Sequence, residues 1–275
     1  MSVQNIVKKL VLQANTELRP DVMQLLQDAA RREKNKKAKH ALKIIIANAR
    51  IAKKERLAIC QDTGLPLVFL KVGVDVALRK KHIDEINKAV ARGYGEGIFR
   101  ASTIDANNRI SYTPKIIHLE FTNRKGFTIS VFPKGFGSEN KSKLKLFLPT
   151  ASEEEIDNFV VEAVREAGPN ACPPYIVGVG IGGTSDYCLL LAKEALLKNV
   201  SLPNRDTQLA QWEKRLYRKI NALGIGPMGL GGKFTCLGVK IKRYPTHLAG
   251  LPVGVNISCH ALRSATKTVA ASQLK

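Results

Sequence analysis

The sequence predicts a mixed α/β protein, with helices packed around more than one small mixed β-sheet and a helical segment at the N-terminus. Three observations carry that expectation. Apolar residues recur at helical spacing through the first 56 residues. Later apolar, β-branched runs read as strands. Helices and strands then follow one another without the regular βα alternation of a parallel sheet.

Residues 3–18, 21–34 and 36–56 read as helices, on Val3, Ile6, Val7, Leu10 and Val11 and on Leu42, Ile45, Ile46 and Ala49. Pro20 separates the first two. The basic run Arg31–Lys39 reads as a solvated helix face. Residues 65–74 form a strand, 82–96 a helix, and 112–122 with 126–133 a hairpin. In Lys134–Ser142, two glycines among small polar residues suggest backbone amides open to an anion. Ser152 and Glu155 make a capping box for a helix that ends at Gly168-Pro169. Tyr175–Val177 reads as a strand running into a glycine loop, Gly178–Gly183, followed by a helix over 185–199. A further helix spans 206–223, a second glycine loop 224–232 and a strand 234–243. We read residues 1–275 as one domain, with a helical part at 1–56 and a binding part at 57–275.

Forty-four Lys and Arg against 23 Asp and Glu give a net charge of +21, which favours an anionic partner. Nucleic acid, an acidic protein and an acidic substrate all satisfy it. No stacking aromatics interleave the basic run and no nucleic-acid-binding motif accompanies it, so nucleic acid is not the expected partner. No apolar run reaches the roughly 18 residues of a membrane helix. Met1–Leu10 shows no secretory signal, and the expected location is the cytoplasm. The five cysteines, Cys60, Cys172, Cys188, Cys236 and Cys259, are odd in number and form no CxxC pair. A disulfide framework is therefore not expected, and any metal centre must be assembled from distant segments.

The chemistry concentrates in Cys60-Gln61-Asp62-Thr63-Gly64. A thiolate can hold a metal, an amide and a carboxylate can hold a polar substrate, and glycine permits a sharp turn beneath them. Taken alone, Cys60 reads first as a small buried hydrophobe, since unpaired cysteine is among the most buried residue types. Cys172 precedes Pro173-Pro174, which stiffen its loop. Arg100, in an apolar and small setting, suits a carboxylate or a surface salt bridge. Gly178–Gly183 satisfies G-x-G-x-x-G, but the helix after it leads to a turn at 201–206 instead of a parallel strand ending in an acidic residue. We therefore reject a dinucleotide fold.

Five blocks identify a family: CQDTG at 60–64, KGFGSENKS at 134–142, GVGIGGT at 178–184, GPMGLGG at 226–232 and PTHLAGLPVGVNISCHALR at 245–263. In this order the chain resembles the α subunit, or N-terminal domain, of the iron–sulfur-dependent class I fumarases and L-tartrate dehydratases. The resemblance implies a hydro-lyase. It makes Cys60, Cys172 and Cys259 the ligands of a [4Fe–4S] cluster that leaves one iron open to the substrate. It places Gln61, Asp62 and Arg100 on the substrate, with Arg100 gripping a carboxylate, and Asp62 and His247 in catalytic roles. It brings the backbone of Gly135 and Gly137 close to the substrate and leaves Cys188 and Cys236 as packing residues. Phe136 and Met228 depart from the family's usual glycine and glutamine, which bears on substrate preference. The implied reaction is reversible hydration of fumarate to L-malate, with L(+)-tartrate dehydration as the alternative. Single-chain members continue into a second domain, whereas this sequence ends at Lys275. The resemblance therefore implies a separate β subunit carrying the proton-abstracting group, in an α2β2 or α–α assembly. A basic nucleic-acid-binding protein and a nucleotide-dependent oxidoreductase are the readings from other classes.

Overall fold

A computed structural model describes residues 2–112 and 116–274. Helices α1 (Val3–Thr16), α2 (Pro20–Arg32) and α3 (Lys36–Glu55) form where the apolar periodicity places them. Then come β1 (Leu65–Val72), α4 (Lys80–Glu96), the short strands β2 (Thr103–Ile104) and β3 (Ile110–Ser111), β4 (Ile116–Phe121) and β5 (Phe127–Lys134). The four-residue α5 (Phe136–Glu139), β6 (Lys143–Phe147), α6 (Glu153–Ala167), β7 (Tyr175–Gly183) and α7 (Ser185–Leu197) follow. The chain continues through α8 (Thr207–Asn221), β8 (Cys236–Thr246), β9 (Leu251–Ser258) and β10 (Ala265–Val269). These elements divide into two compact units. The first holds the residues up to Arg19, Asn48–Phe136 and Arg263 onward; the second holds Pro20–Ala47 and Gly137–Leu262.

In the first unit the sheet order is β10-β5-β1-β4. Strand β1 pairs parallel to β4 (Leu67 opposite Ile116) and antiparallel to β5 (Leu65 opposite Lys134). The hairpin expected from 112–122 and 126–133 is therefore not formed among the described residues, because β1 lies between its two strands; residues 113–115 are outside the description. The reason is burial. Strand β1 is buried on both faces and takes an interior position, whereas β4 is largely exposed and takes the edge. The core joins Ile6, Val7, Leu10 and Val11 of α1 to Ile86 and Val90 of α4 and to Val68, Leu70, Ile129 and Val131 of the sheet.

The second unit has the order β6-β9-β7-β8. Its central strand β7 runs parallel to β8 and antiparallel to β9. Alternation along β7 puts Val177, Val179 and Ile181 into a core with Ile156, Val160, Trp212, Leu216 and Ile220 of α6 and α8. The opposite face carries Gly178 and Gly180. A Cβ on Gly178 would stand 2.1 Å from the Ala192 carbonyl oxygen, and one on Gly180 1.9 Å from that of Cys188. The expected glycine loop is thus largely strand, and its bare backbone admits α7 at close range. The second glycine stretch folds on itself: Gly231 N–H donates to Ile225 at 2.9 Å, and a Cβ on Gly226 would meet the Gly231 oxygen at 1.6 Å.

The basic run Arg31–Lys39 is not one solvated helix face. It breaks between α2 and α3, where the Asn35 side chain caps the N–H groups of Lys37 and Ala38. Glu33, only 3% exposed, accepts from the N–H groups of Lys34, Asn35 and Lys233. No helix among the described residues is long and apolar enough to cross a membrane.

Asp157 fastens α6 to α8. Its buried carboxylate accepts from Trp212 Nε1 at 2.6 Å and Arg215 Nε at 2.8 Å, and Lys219 Nζ stands at 2.9 Å. Burial alone would raise this carboxyl, but the bonds from Arg215, Lys219 and Trp212 outweigh it and hold it below its usual range. Its stabilising contribution is complete above the unfolded carboxylate value of about 3.9 and is lost as pH falls through the lower folded value. Asp157→Ala is expected to cost about 2–4 kcal/mol at neutral pH, because it strands buried donors. Denaturant titration at neutral and acid pH checks both parts: a lower midpoint at pH 7, and a smaller loss of stability on acidification than in the parent.

Candidate functional site

The residues singled out from the sequence fall into two groups, one in each unit. In the first unit, Cys60–Gly64 turns sharply between α3 and β1, and Gly64 has a φ of +76°. A Cβ on Gly64 would press on the backbone of Pro133 and Lys134 at 2.9 Å, so glycine is required for this turn to lie against β5. Asp62 bridges the two segments: Oδ1 accepts the Gly64 N–H at 2.9 Å and Oδ2 the Phe136 N–H at 2.8 Å. The Phe136 amide, expected to be open to an anion, is thus taken by Asp62. Gly135 lies directly against that carboxylate, since its Cβ would stand 3.1 Å from Oδ2.

Asp62 and Arg100 share one cleft of about 270 Å³, lined also by Leu65, Ala101, Ser102, Ile104, Ile110 and Phe136. The Arg100 carbonyl accepts from the Thr63 hydroxyl at 2.6 Å, which ties the arginine's backbone to the motif, while Arg100 itself is exposed. A carboxylate with both oxygens held by backbone amides thus shares a cleft with a guanidinium. That combination suits a small substrate with both hydroxyl and carboxylate groups. Gln61 is exposed, and Cys60 is half-buried.

In the second unit, Cys172 (φ +56°) precedes a cis Pro173-Pro174 bond. Its carbonyl accepts the His260 N–H at 3.2 Å and lies 3.0 Å from His260 Nδ1, which joins the Cys172 loop to the Cys259-His260 segment. The Pro173 carbonyl accepts the Met228 N–H at 2.8 Å, which ties the glycine-rich 224–232 loop to the same place. The Tyr175 phenol is pushed up to about 12, chiefly by burial, with Cys172 and Cys259 both acting on it. His247 belongs to the exposed turn between β8 and β9, where its Nδ1 accepts the Ala249 N–H at 3.1 Å. Gly137 opens the second unit's share of α5, and a Cβ there would meet nothing within 4 Å.

Thiol environments divide the five cysteines. Cys188 and Cys236 are fully buried and donate to the carbonyls of Ser185 and Gly238. Burial pushes their thiols up to about 11 and about 12, which keeps them protonated and unsuited to bind metal. Cys172 is exposed, and Cys60 and Cys259 are intermediate. Among the described residues no three His, Cys, Asp or Glu side chains stand together as a site for a single metal ion. The linked Cys172 and Cys259 loops fit thiolate ligation of an iron–sulfur group; Cys60 belongs to the other unit.

Tyr94, His260 and Arg263 were not singled out from the sequence. Tyr94 (1% exposed) donates to the carbonyls of Thr63 and Gly64 at 3.0 and 3.3 Å, and Arg263 (3%) donates from Nη2 to the Asp62 carbonyl. Each acts on backbone atoms far away in sequence, which leaves no local pattern. His260 and Arg263 do lie inside the 245–263 block, the only available signal.

The sequence profile of the fumarate hydratase (Fumerase) family matches residues 4–268. A Methanocaldococcus jannaschii protein, provisionally named as an L(+)-tartrate dehydratase subunit alpha, is 40% identical over 98% of this chain and 98% of its own length. The L(+)-tartrate dehydratase subunit alpha of Escherichia coli K12 is 27% identical, over 96% of this chain and 89% of that protein. A Geobacillus stearothermophilus protein, provisionally named as a class I fumarate hydratase, is 30% identical over 93% of this chain, which spans 52% of its length.

Proposed function

The chain belongs to the fumarate hydratase (Fumerase) family of hydro-lyases, and from that premise we propose that it is the α subunit of a two-subunit class I enzyme. Its reaction is the reversible hydration of fumarate to L-malate, in the cytoplasm. The observation that supports this most directly is the cleft shared by Asp62 and Arg100 beside the CQDTG turn.

Cys60, Cys172 and Cys259 are the residues that would hold a [4Fe–4S] cluster. When bound, a cluster with one open iron would supply Lewis-acid assistance to departure of the substrate hydroxyl. The remaining work belongs to side chains of the chain. Arg100 takes a substrate carboxylate in two parallel hydrogen bonds. Asp62, held by two amides, presents a fixed carboxylate to the substrate, and Gln61 adds an amide beside it. Gly135 leaves room for the backbone to approach, while Phe136, exposed on the cleft wall, narrows it. In this reading His247 has a catalytic role and the backbone of Gly137 faces the substrate.

A β subunit supplies the remaining groups, including the one that abstracts the proton. The support is that relatives matching nearly the whole of this chain carry the name subunit alpha. Those same relatives favour a second reading, in which L(+)-tartrate is the substrate. The two substrates differ by one hydroxyl, which a few cleft contacts can discriminate.

The test is to assemble the chain with its β subunit without oxygen, reconstitute with iron and sulfide, and compare turnover of L-malate and L(+)-tartrate. The expected result is turnover of a dicarboxylate by the assembly, L-malate over L-tartrate, and little by the chain alone. Full turnover by the isolated chain would sink the two-subunit reading, and preference for tartrate would select the second substrate.

A further inference from the structure

We propose that Arg263 is a positioning residue for Asp62: a buried guanidinium that fixes the Asp62–Gly64 turn through its backbone and so aims the Asp62 carboxylate into the cleft. The inference deepens the proposed function, since it takes Asp62 as a substrate-facing group.

Arg263 is 3% exposed, yet among the described residues it forms no ion pair. Its Nη2 donates to the Asp62 carbonyl, and its Nε is buried without any partner among those residues. A buried guanidinium ordinarily faces a carboxylate, because an uncompensated charge is costly to desolvate. Here the cation is spent on a peptide oxygen of the motif. That bond is charge-assisted, and hence stronger than a neutral one.

The other side chain that reaches the carbonyls of this turn is neutral. The Tyr94 hydroxyl donates to Thr63 and Gly64, and its phenol, pushed up to about 12 by burial, keeps its proton at any physiological pH. The Thr63 hydroxyl donates to the Arg100 carbonyl. Every carbonyl from Asp62 to Gly64 is thus engaged, and both carboxylate oxygens accept an amide. With the peptide planes fixed, the carboxylate has one direction available. Arg263 is the cationic anchor among these contacts, and its positive charge, one peptide from the cleft wall, also draws an anionic substrate.

The test uses the assembled enzyme carrying Arg263→Met, which keeps much of the volume, and Arg263→Lys, which keeps the charge and a donor. Arg263→Met is expected to lower kcat about 10-fold or more and to weaken binding of the unreactive dicarboxylate succinate several-fold, with iron content unchanged. Arg263→Lys is expected to restore part of kcat. Hydrogen exchange supplies a readout independent of activity. The amides of Gly64 and Phe136, which donate to Asp62, are expected to exchange about 10-fold faster in Arg263→Met, while β1 and β5 keep their protection. Wild-type kcat, KM and exchange in Arg263→Met would overturn the proposal. So would loss of activity only in proportion to the unfolded fraction. If Arg263→Met does not fold, the same amides in Arg263→Lys decide the matter. If the wild-type assembly turns over no dicarboxylate, the functional reading falls, and unchanged exchange at Gly64 and Phe136 would separately remove the positioning role.

Discussion

Replacing Cys172 with serine is expected to strip iron from the assembled enzyme and to lower turnover about 10³-fold or more. A Lewis acid at a departing hydroxyl contributes several kcal/mol to barrier lowering, and each 1.36 kcal/mol is tenfold in rate. Serine preserves the volume but offers no thiolate. Cys60→Ser and Cys259→Ser should behave alike. Cys188→Ser and Cys236→Ser are the contrast. Both thiols are buried in packed surroundings, with bonds to local carbonyls. Those variants are expected to keep their iron and to lose about 1–2 kcal/mol of stability. Iron and sulfide determination on anaerobically purified protein, with thermal unfolding beside it, separates the two classes. Iron retained in all three of the first class would contradict the ligand assignment.

Gly180→Ala is expected to destabilise the second unit by about 3 kcal/mol or more, and Gly180→Val to prevent its folding. The added Cβ would stand 1.9 Å from the Cys188 carbonyl oxygen and 2.7 Å from the Ala192 nitrogen, both backbone atoms of α7. A flexible side chain could rotate away, but a helix backbone must move as a body. Helix α7 also lies against Gly178 and Gly254, so displacement breaks three close approaches together. Gly95→Ala in α4 is the control. Nothing stands within 4 Å of its Cβ position, and alanine there is expected to stabilise by up to about 1 kcal/mol. Denaturation midpoints of the variants measure the difference. A Gly180→Ala protein as stable as the parent would mean that α7 does not pack on the glycine face of β7.

These two predictions rest on different kinds of legibility. The GVGIGGT stretch was visible in the sequence as glycine density, and local rules read it as a loop before a helix. In the structure the glycines are strand residues, and what they approach is the backbone of α7. Glycine permits close approach in both cases, and only the three-dimensional neighbour tells whether a ligand or a helix comes near. The missed hairpin has the same origin. Strands β4 and β5 are adjacent in sequence, but the doubly buried β1 outcompetes either for the position between them.

By itself the sequence determined the mixed α/β class, the three N-terminal helices, the capped helix α6 and the family. Each is written in periodicity, caps or short ordered blocks, which depend on neighbours a few residues apart. It also pointed to residue types suited to the proposed chemistry, because thiolate, amide, carboxylate and guanidinium are legible from composition before geometry. Tertiary structure alone decided that both Asp62 oxygens are held by amides, that Asp62 and Arg100 share a cleft, and that His260, next to Cys259, meets the Cys172 carbonyl. It alone revealed Tyr94 and Arg263, whose partners are backbone carbonyls about 30 and 200 residues away. A carbonyl is present at every position, so no residue pattern marks the one a distant side chain will bind.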